Sequence, residues 1–318
     1  MISTDFSLLS RLADDGATIR QQLSQVEEQA ATGRVSDTYA GLGSQARTSL
    51  DLRPTIAHQA VWQSNIDAAT ARMSVAQNSL DAISQIASDF YAKTNDINSL
   101  GTSEVSSIAS AAKSALQQVG QLLNTKSGDI YVFAGQDTAN PPIPNTDPTA
   151  MAAALLANPP TTAPFSSTIG TAVPQVEVGQ GQRMQVGVLA NANTLAVSSP
   201  PTSGSYMRDI MTSLATLANL TDGPTAQATA QSVRAQLSSA ITAIGQESGA
   251  LGNVQSTLTQ RQTALSETST ALSTQLSSVE DVDVAAALTK ASSLQTQLQA
   301  SYQIIAGTKD LTLASYIT

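Results

Sequence analysis

The chain has no cysteine, one histidine, one tryptophan and only 3% aromatic residues in 318 positions. Without cysteine there is no disulfide, no thiol nucleophile and no thiolate metal site. A metal site or a catalytic triad needs several converging side chains. The single histidine, His58, is therefore read as an ordinary helix-surface residue. Charge is scarce as well: Asp, Glu, Lys and Arg make up 12% of the chain, with a net charge of −9. No cluster of Lys and Arg exists for phosphate contact, which excludes nucleic acid as a partner. No apolar run reaches the roughly 20 residues of a membrane-spanning helix. The start, "MISTDFSLLSRLADDGATIRQQ", has neither a basic leader nor a continuous hydrophobic region, so no cleaved secretory signal is expected.

What is present is a 41% hydrophobic share, much of it alanine, set among Ser, Thr, Gln and Asn. Such a chain makes a thin core of small residues at helix contacts. A mainly α, elongated coiled-coil or bundle protein is expected. In the N-terminal segment Leu9, Leu12, Ile19, Leu23, Val26 and Ala30 alternate at spacings of three and four, with Gly16 at the weak position. Near the C-terminus Val284, Leu288, Ala291, Leu298, Tyr302 and Ile305 do the same, with Gln295 as the one polar interruption. Each seam must be buried on something. The two seams are of comparable length and are expected to pack on each other, closing a loop whose entropic cost grows only slowly with length. Thin, alanine-containing seams bury little area, so neighbouring copies of the molecule would supply the missing burial.

Between the arms, Ile66, Ala69, Met73, Ala76, Leu80, Ile83, Ala87 and Phe90 form an unbroken helical seam. Pro54 suits the first turn of that helix. Val105, Ile108, Ala112, Leu116 and Val119 share a face of a third helix over about residues 103–124. "SGDIYVFAG" (127–135) is β-prone and reads as a strand. "VPQVEVGQGQRMQVGVLA" alternates Val176, Val178, Met184, Val186 and Val188 around a glycine turn, which is a hairpin signal in a loop-rich region. Helical periodicity returns at Tyr206 through Ile210, Leu214, Val233, Leu237, Ile244, Leu258 and Leu265.

The expected organisation is an N-terminal arm (1–53), the N-terminal part of a helical rod (54–126) and a small β-rich inserted middle domain (127–205). The C-terminal part of the rod (206–277) and a C-terminal arm (278–318) follow. Four stretches resemble the bacterial flagellin family, and within it the hook-associated junction proteins. They are the start through "QLSQVEEQAATGRVS", the stretch "QSNIDAATARMSVAQNSLDAISQIASD", "NTKSGDIYVFAGQDTANPP", and the ending from "VEDVDVAAALTKASSLQTQLQASYQII" to "ASYI". The family's acidic segment after the first helix is replaced here by "SDTYAGLGSQARTS", and the ending "LTLASYIT" is nearer the junction proteins than the filament subunits.

The resemblance implies a structural subunit of the bacterial flagellum, linking hook to filament by self-assembly of its terminal helices into a ring or tube. The implied partners are further copies, a neighbouring hook-associated protein, flagellin and an export chaperone. The implied location is extracellular, reached by flagellar type III export. Leu9, Leu12, Ile19, Leu23 and Val26 against Leu288, Ala291, Leu298, Tyr302 and Ile305 are the candidate assembly residues. Filament flagellin shares these arms, and a secreted helical adhesin is a reading of a different class.

No enzymatic site, cofactor or metal is expected. Glu280, Asp281 and Asp283 lack the other ligands and the turn glycine of a calcium loop, and read as helix-capping acids. The closely spaced glycines of "GLGSQA" (41–46) lack a phosphate loop's Lys-Ser/Thr ending and read as a hinge. Trp62 reads as packing in an alanine-rich bundle.

Overall fold

A computed structural model describes residues 2–96, 102–196, 202 and 204–314, with side chains over 10–95, 104–196, 202 and 204–307. The chain is mainly α with two small antiparallel sheets. It divides into two compact units: Met1–His58 with Glu267–Thr318, and Gln59–Ser266.

Helix α1 (Ile2–Thr32) ends where glycine allows it: Gly33 takes φ of 70° and its N–H returns to the Gln29 carbonyl at 2.9 Å. A short 3₁₀ segment (Tyr39–Gln45) follows, broken at Gly43 with φ of 57°. Gly41 has no room for a side chain there, since a Cβ would lie 2.0 Å from Ser36 Oγ. Helix α2 (Ala46–Asp96) starts two turns earlier than the proline predicts, and Pro54 lies inside it. The proline removes one backbone donor, but Leu50 and Pro54 are both exposed, so the Leu50 carbonyl is left to water rather than buried.

The second unit owns the large core. All eight seam residues from Ile66 to Phe90 are buried in α2. Helix α3 (Thr102–Leu123) buries Val105, Ile108, Ala112, Leu116 and Val119 along one face. After the middle region, α5 (Tyr206–Ala218) packs on α3, its N-terminus capped by the Ser205 hydroxyl accepting from Arg208 N–H at 3.2 Å. Helix α6 (Ala226–Glu280) runs antiparallel to α2 in this unit. Gln262 Nε2 donates to Asp67 Oδ1 at 3.1 Å, and the Arg234 guanidinium stacks 4.8 Å from the Tyr91 ring. Trp62 is half-buried and packs against the same core.

The middle region departs from expectation in two places. Residues 127–135 form no single strand. Lys126–Ser127 (β1) and Ile130–Tyr131 (β2) are a two-residue hairpin turning at Gly128, whose φ is 61°. Val132, Phe133 and Ala134 are buried outside any ladder, with Val132 N–H bonded to Thr125 O at 3.1 Å and Phe133 O accepting from Ala190 N–H at 3.1 Å. Composition mimics a strand here because the run is buried on all sides. Helix α4 (Pro148–Leu155) has no counterpart in the sequence reading, although Asp147 caps it by accepting from Ala150 N–H at 2.8 Å. The hairpin of β3 (Gln175–Gly179) and β4 (Gln182–Gln185) forms as expected, with Val176 opposite Met184. Val186 and Val188 are buried past its end.

One buried carboxylate holds the return from this region. Glu247, on α6, accepts backbone N–H groups of Thr194, Leu195 and Ala196 at 3.1, 2.9 and 2.9 Å, and the Thr194 hydroxyl. Replacing it leaves three backbone donors facing a poorer acceptor. Glu247→Gln is expected to lower stability by about 1–3 kcal/mol, measured by urea unfolding of the full chain.

Candidate assembly site

The first unit is built around α1 and α7 (Val284–Ala314), which pack antiparallel. On α1, Gly16 and Val26 are buried, and Leu12, Ile19, Leu23 and Ala30 are half-buried. That is the expected face. Leu9 lies on α1 outside the residues with described side chains.

On α7 the buried line differs from the sequence reading. It runs through buried Ala287, Ala291 and Leu294 and half-buried Leu298, Ser301 and Ile305, alternating four and three. Ala291, Leu298 and Ile305 belong to both lines. Leu288 and Tyr302 do not: they are 58% and 47% exposed, as are Val284 and Ile304 in large part. Two three-four registers pass through residues 291, 298 and 305, and the larger side chains of one of them suggest the wrong partner face. Small Ala287 and Ser301 lie on the line that faces α1, whereas the larger Leu288 and Tyr302 lie beside it. Gln295 was the available signal. Moving it off the seam lets its Nε2 donate to Glu27 Oε1 at 3.3 Å in solvent.

The contact is thin. Its fully buried members are Val26, Ala287, Ala291 and Leu294. A fully buried large apolar side chain is worth about 1.5–3 kcal/mol and an alanine much less. Among the described residues, six of the exposed large hydrophobics lie in this unit: Tyr39, Leu50, Val284, Leu288, Tyr302 and Ile304. Only Val61 and Leu156 lie in the larger second unit.

At the base of the pair the chain is stapled. Val35 N–H donates to Glu280 O at 2.7 Å and Val282 N–H to Gly33 O at 3.0 Å, with Arg34 and Asp281 forming an antiparallel bridge. Glu280 is the last residue of α6, not a cap of α7. Its carboxylate accepts Arg53 Nε at 2.8 Å, Arg53 Nη2 and the Ser49 hydroxyl. The capping role falls to Asp283, whose Oδ1 accepts from Ala285 and Ala286 N–H at 2.9 and 3.1 Å. Sequence spacing gave no sign of a pair 227 residues apart. The Arg53 hydrogen bonds, with help from Ser49 and Arg34, hold the Glu280 carboxyl below its ordinary value of 4.5. His58 is on the exposed side of α2. Among the described residues no cluster of three or more His, Cys, Asp or Glu is placed to hold a metal, and no helix is long and apolar enough to cross a membrane.

Two outcomes follow from this geometry. Leu294→Ala is expected to cost about 2 kcal/mol in the first unit, whereas Leu288→Ala changes the dilute chain by less than about 0.5 kcal/mol; urea melts followed by circular dichroism distinguish them. A depressed carboxylate pKa means the Glu280 contribution is fully present above the ordinary value of 4.5 and is lost as pH falls through the lower folded value. The stability difference between wild type and Glu280→Gln is therefore expected to hold steady from neutrality to about that pH and to vanish in stronger acid, read from thermal melts across the pH series.

Residues 234–317 match the family model of the bacterial flagellin C-terminal helical region. A search among curated protein sequences finds no match. Solved structures with the same fold include a protein assigned as flagellar hook-associated from Vibrio parahaemolyticus, at 16% identity and a TM-score of 0.58, covering 77% of this chain and 99% of that one. Bacillus cereus FlgL is similar at 17% identity and a TM-score of 0.54, over 71% of this chain and 99% of its own. Most of α6 and α7 thus match the bacterial flagellin C-terminal helical region, in a chain whose fold is similar to those solved structures.

Proposed function

We propose that this chain is a structural subunit of the bacterial flagellum, a hook-associated junction protein that links hook to filament by self-assembly of its terminal helices. The observation that carries this reading is the apolar flank left open on α7 beside a seam too thin to satisfy either helix. In the proposed assembly, residues 1–53 and 278–318 are the contact arms. Leu9, Leu12, Ile19, Leu23 and Val26 with Ala291, Leu298 and Ile305 make the pair, and Leu288 and Tyr302 meet a neighbouring copy. The remaining partners are the adjoining hook-associated protein and flagellin, outside the cell, and the residues between the arms serve as the body of the subunit. The role is geometric and requires no catalysis.

Two experiments test it. Leu288→Asp combined with Tyr302→Asp is expected to leave the dilute chain folded and to abolish sedimentable assemblies; assembly at wild-type yield would refute the role of the flank. Immunogold electron microscopy with an antibody to residues 141–200 is expected to label one band at the hook boundary. Label along the whole filament would make the chain a filament subunit, and label away from flagella would make it a surface binding protein.

A further inference from the structure

Residue 280 is where the first unit's segments converge. Its carbonyl receives the N–H of Val35 from the loop after α1, and its carboxylate receives Arg53 and Ser49 from the start of α2. The helical run breaks immediately afterwards at residues 281–283, and α7 begins at Val284. One residue therefore joins the end of α6, the end of α1, the start of α2 and the break before α7. We propose that Glu280 is the positioning residue of the terminal arms: its grip on Ser49 and Arg53 fixes the angle at which the α1/α7 pair leaves the start of α2. This rests on the assembly reading for its purpose, because a flank that must meet a second copy has to be presented in one direction.

The chemistry favours a carboxylate at this point. The Arg53 fork meets both oxygens, Nε on Oε1 and Nη2 on Oε2, so the pair fixes orientation as well as distance. Backbone bonds at Val35 and Val282 close the same junction but leave a hinge axis, which the lateral grip on α2 blocks. A cavity of about 190 Å³ beside the pair, lined by Arg34, Ser36, Asp37, Thr38, Tyr39 and Leu42, gives the junction room to move once the grip is lost. The charges facing Glu280 are Arg53 from α2 and Arg34 from the loop after α1, with Asp37 and Tyr39 across the cavity and Asp281 beside it. Gln at this position keeps the size and loses the charge. Its amide nitrogen also sets a donor against the donors of Arg53.

The absence of cysteine makes a direct test simple. Spin labels are attached to Ala57→Cys on α2 and Ser292→Cys on α7, both at exposed positions of the same unit, and pulsed electron resonance reads their separation in the full chain at low concentration. The wild-type background is expected to give one narrow distance peak. Glu280→Gln is expected to broaden it, with helicity retained. Exchanging the charges with Glu280→Arg and Arg53→Glu is expected to restore a narrow distribution, which a general loss of packing would not. A narrow, unshifted peak in Glu280→Gln would overturn the proposal, as would an equally broad one in the wild-type background. The measurement is made on the unassembled chain, so failure of the assembly reading leaves its result intact, and failure of this proposal leaves the Leu288 and Tyr302 contact standing.

Discussion

The contact on which the first unit depends is the seam between α1 and α7, and its chemistry is that of small side chains. Val26, Ala287, Ala291 and Leu294 are its fully buried members. Alanine lets two helix backbones approach closely, but it removes little apolar surface from water. Each helix has 31 residues, and ordering a backbone residue costs about 1–2 kcal/mol. Intrahelical hydrogen bonding and one thin stripe do little against that cost. The flank beside the seam, with Leu288 and Tyr302, leaves apolar surface exposed, and that is the surface the proposed assembly would cover.

The second unit solves the same compositional problem differently. Its helices are also alanine-rich, yet Ile66, Met73, Leu80, Ile83, Leu116, Ile210 and Leu214 bring large side chains into one shared core. Polar groups there are deliberate fixtures: Glu247 collects three backbone donors, and Asn124 reaches Ile143 through both its amide nitrogen and its oxygen, at 2.7 and 2.9 Å. These contacts let a loop-rich insertion pack without strands of any length. The first unit places the contact of Glu280 with Arg53 and Ser49 at a junction instead of inside a core.

Periodicity is legible wherever one face is buried by large residues. The α2 seam from Ile66 to Phe90 and the α3 face were readable for that reason, since eight and five of their positions are closed to solvent. The α7 register was not, because Ala287 and Ser301 look too small to define a seam and Leu288 and Tyr302 look too large to be left out. The polar Gln295 was the better guide. Pro54 misled in the opposite sense: it lies inside α2 rather than at its start, and the Leu50 carbonyl it orphans is on an exposed face. Nothing in the local pattern announces the Arg53–Glu280 pair, since long-range ion pairs leave no periodic trace.

In the proposed assembly the arms are completed by other copies of the chain. Amide hydrogen exchange of α7, compared between dilute and assembled protein, tests it most directly. Protection over residues 284–305 is expected to rise markedly on assembly, with the core of α3 and α5 unchanged. Equal protection of α7 in both states would contradict it, because the seam with α1 would then be sufficient by itself.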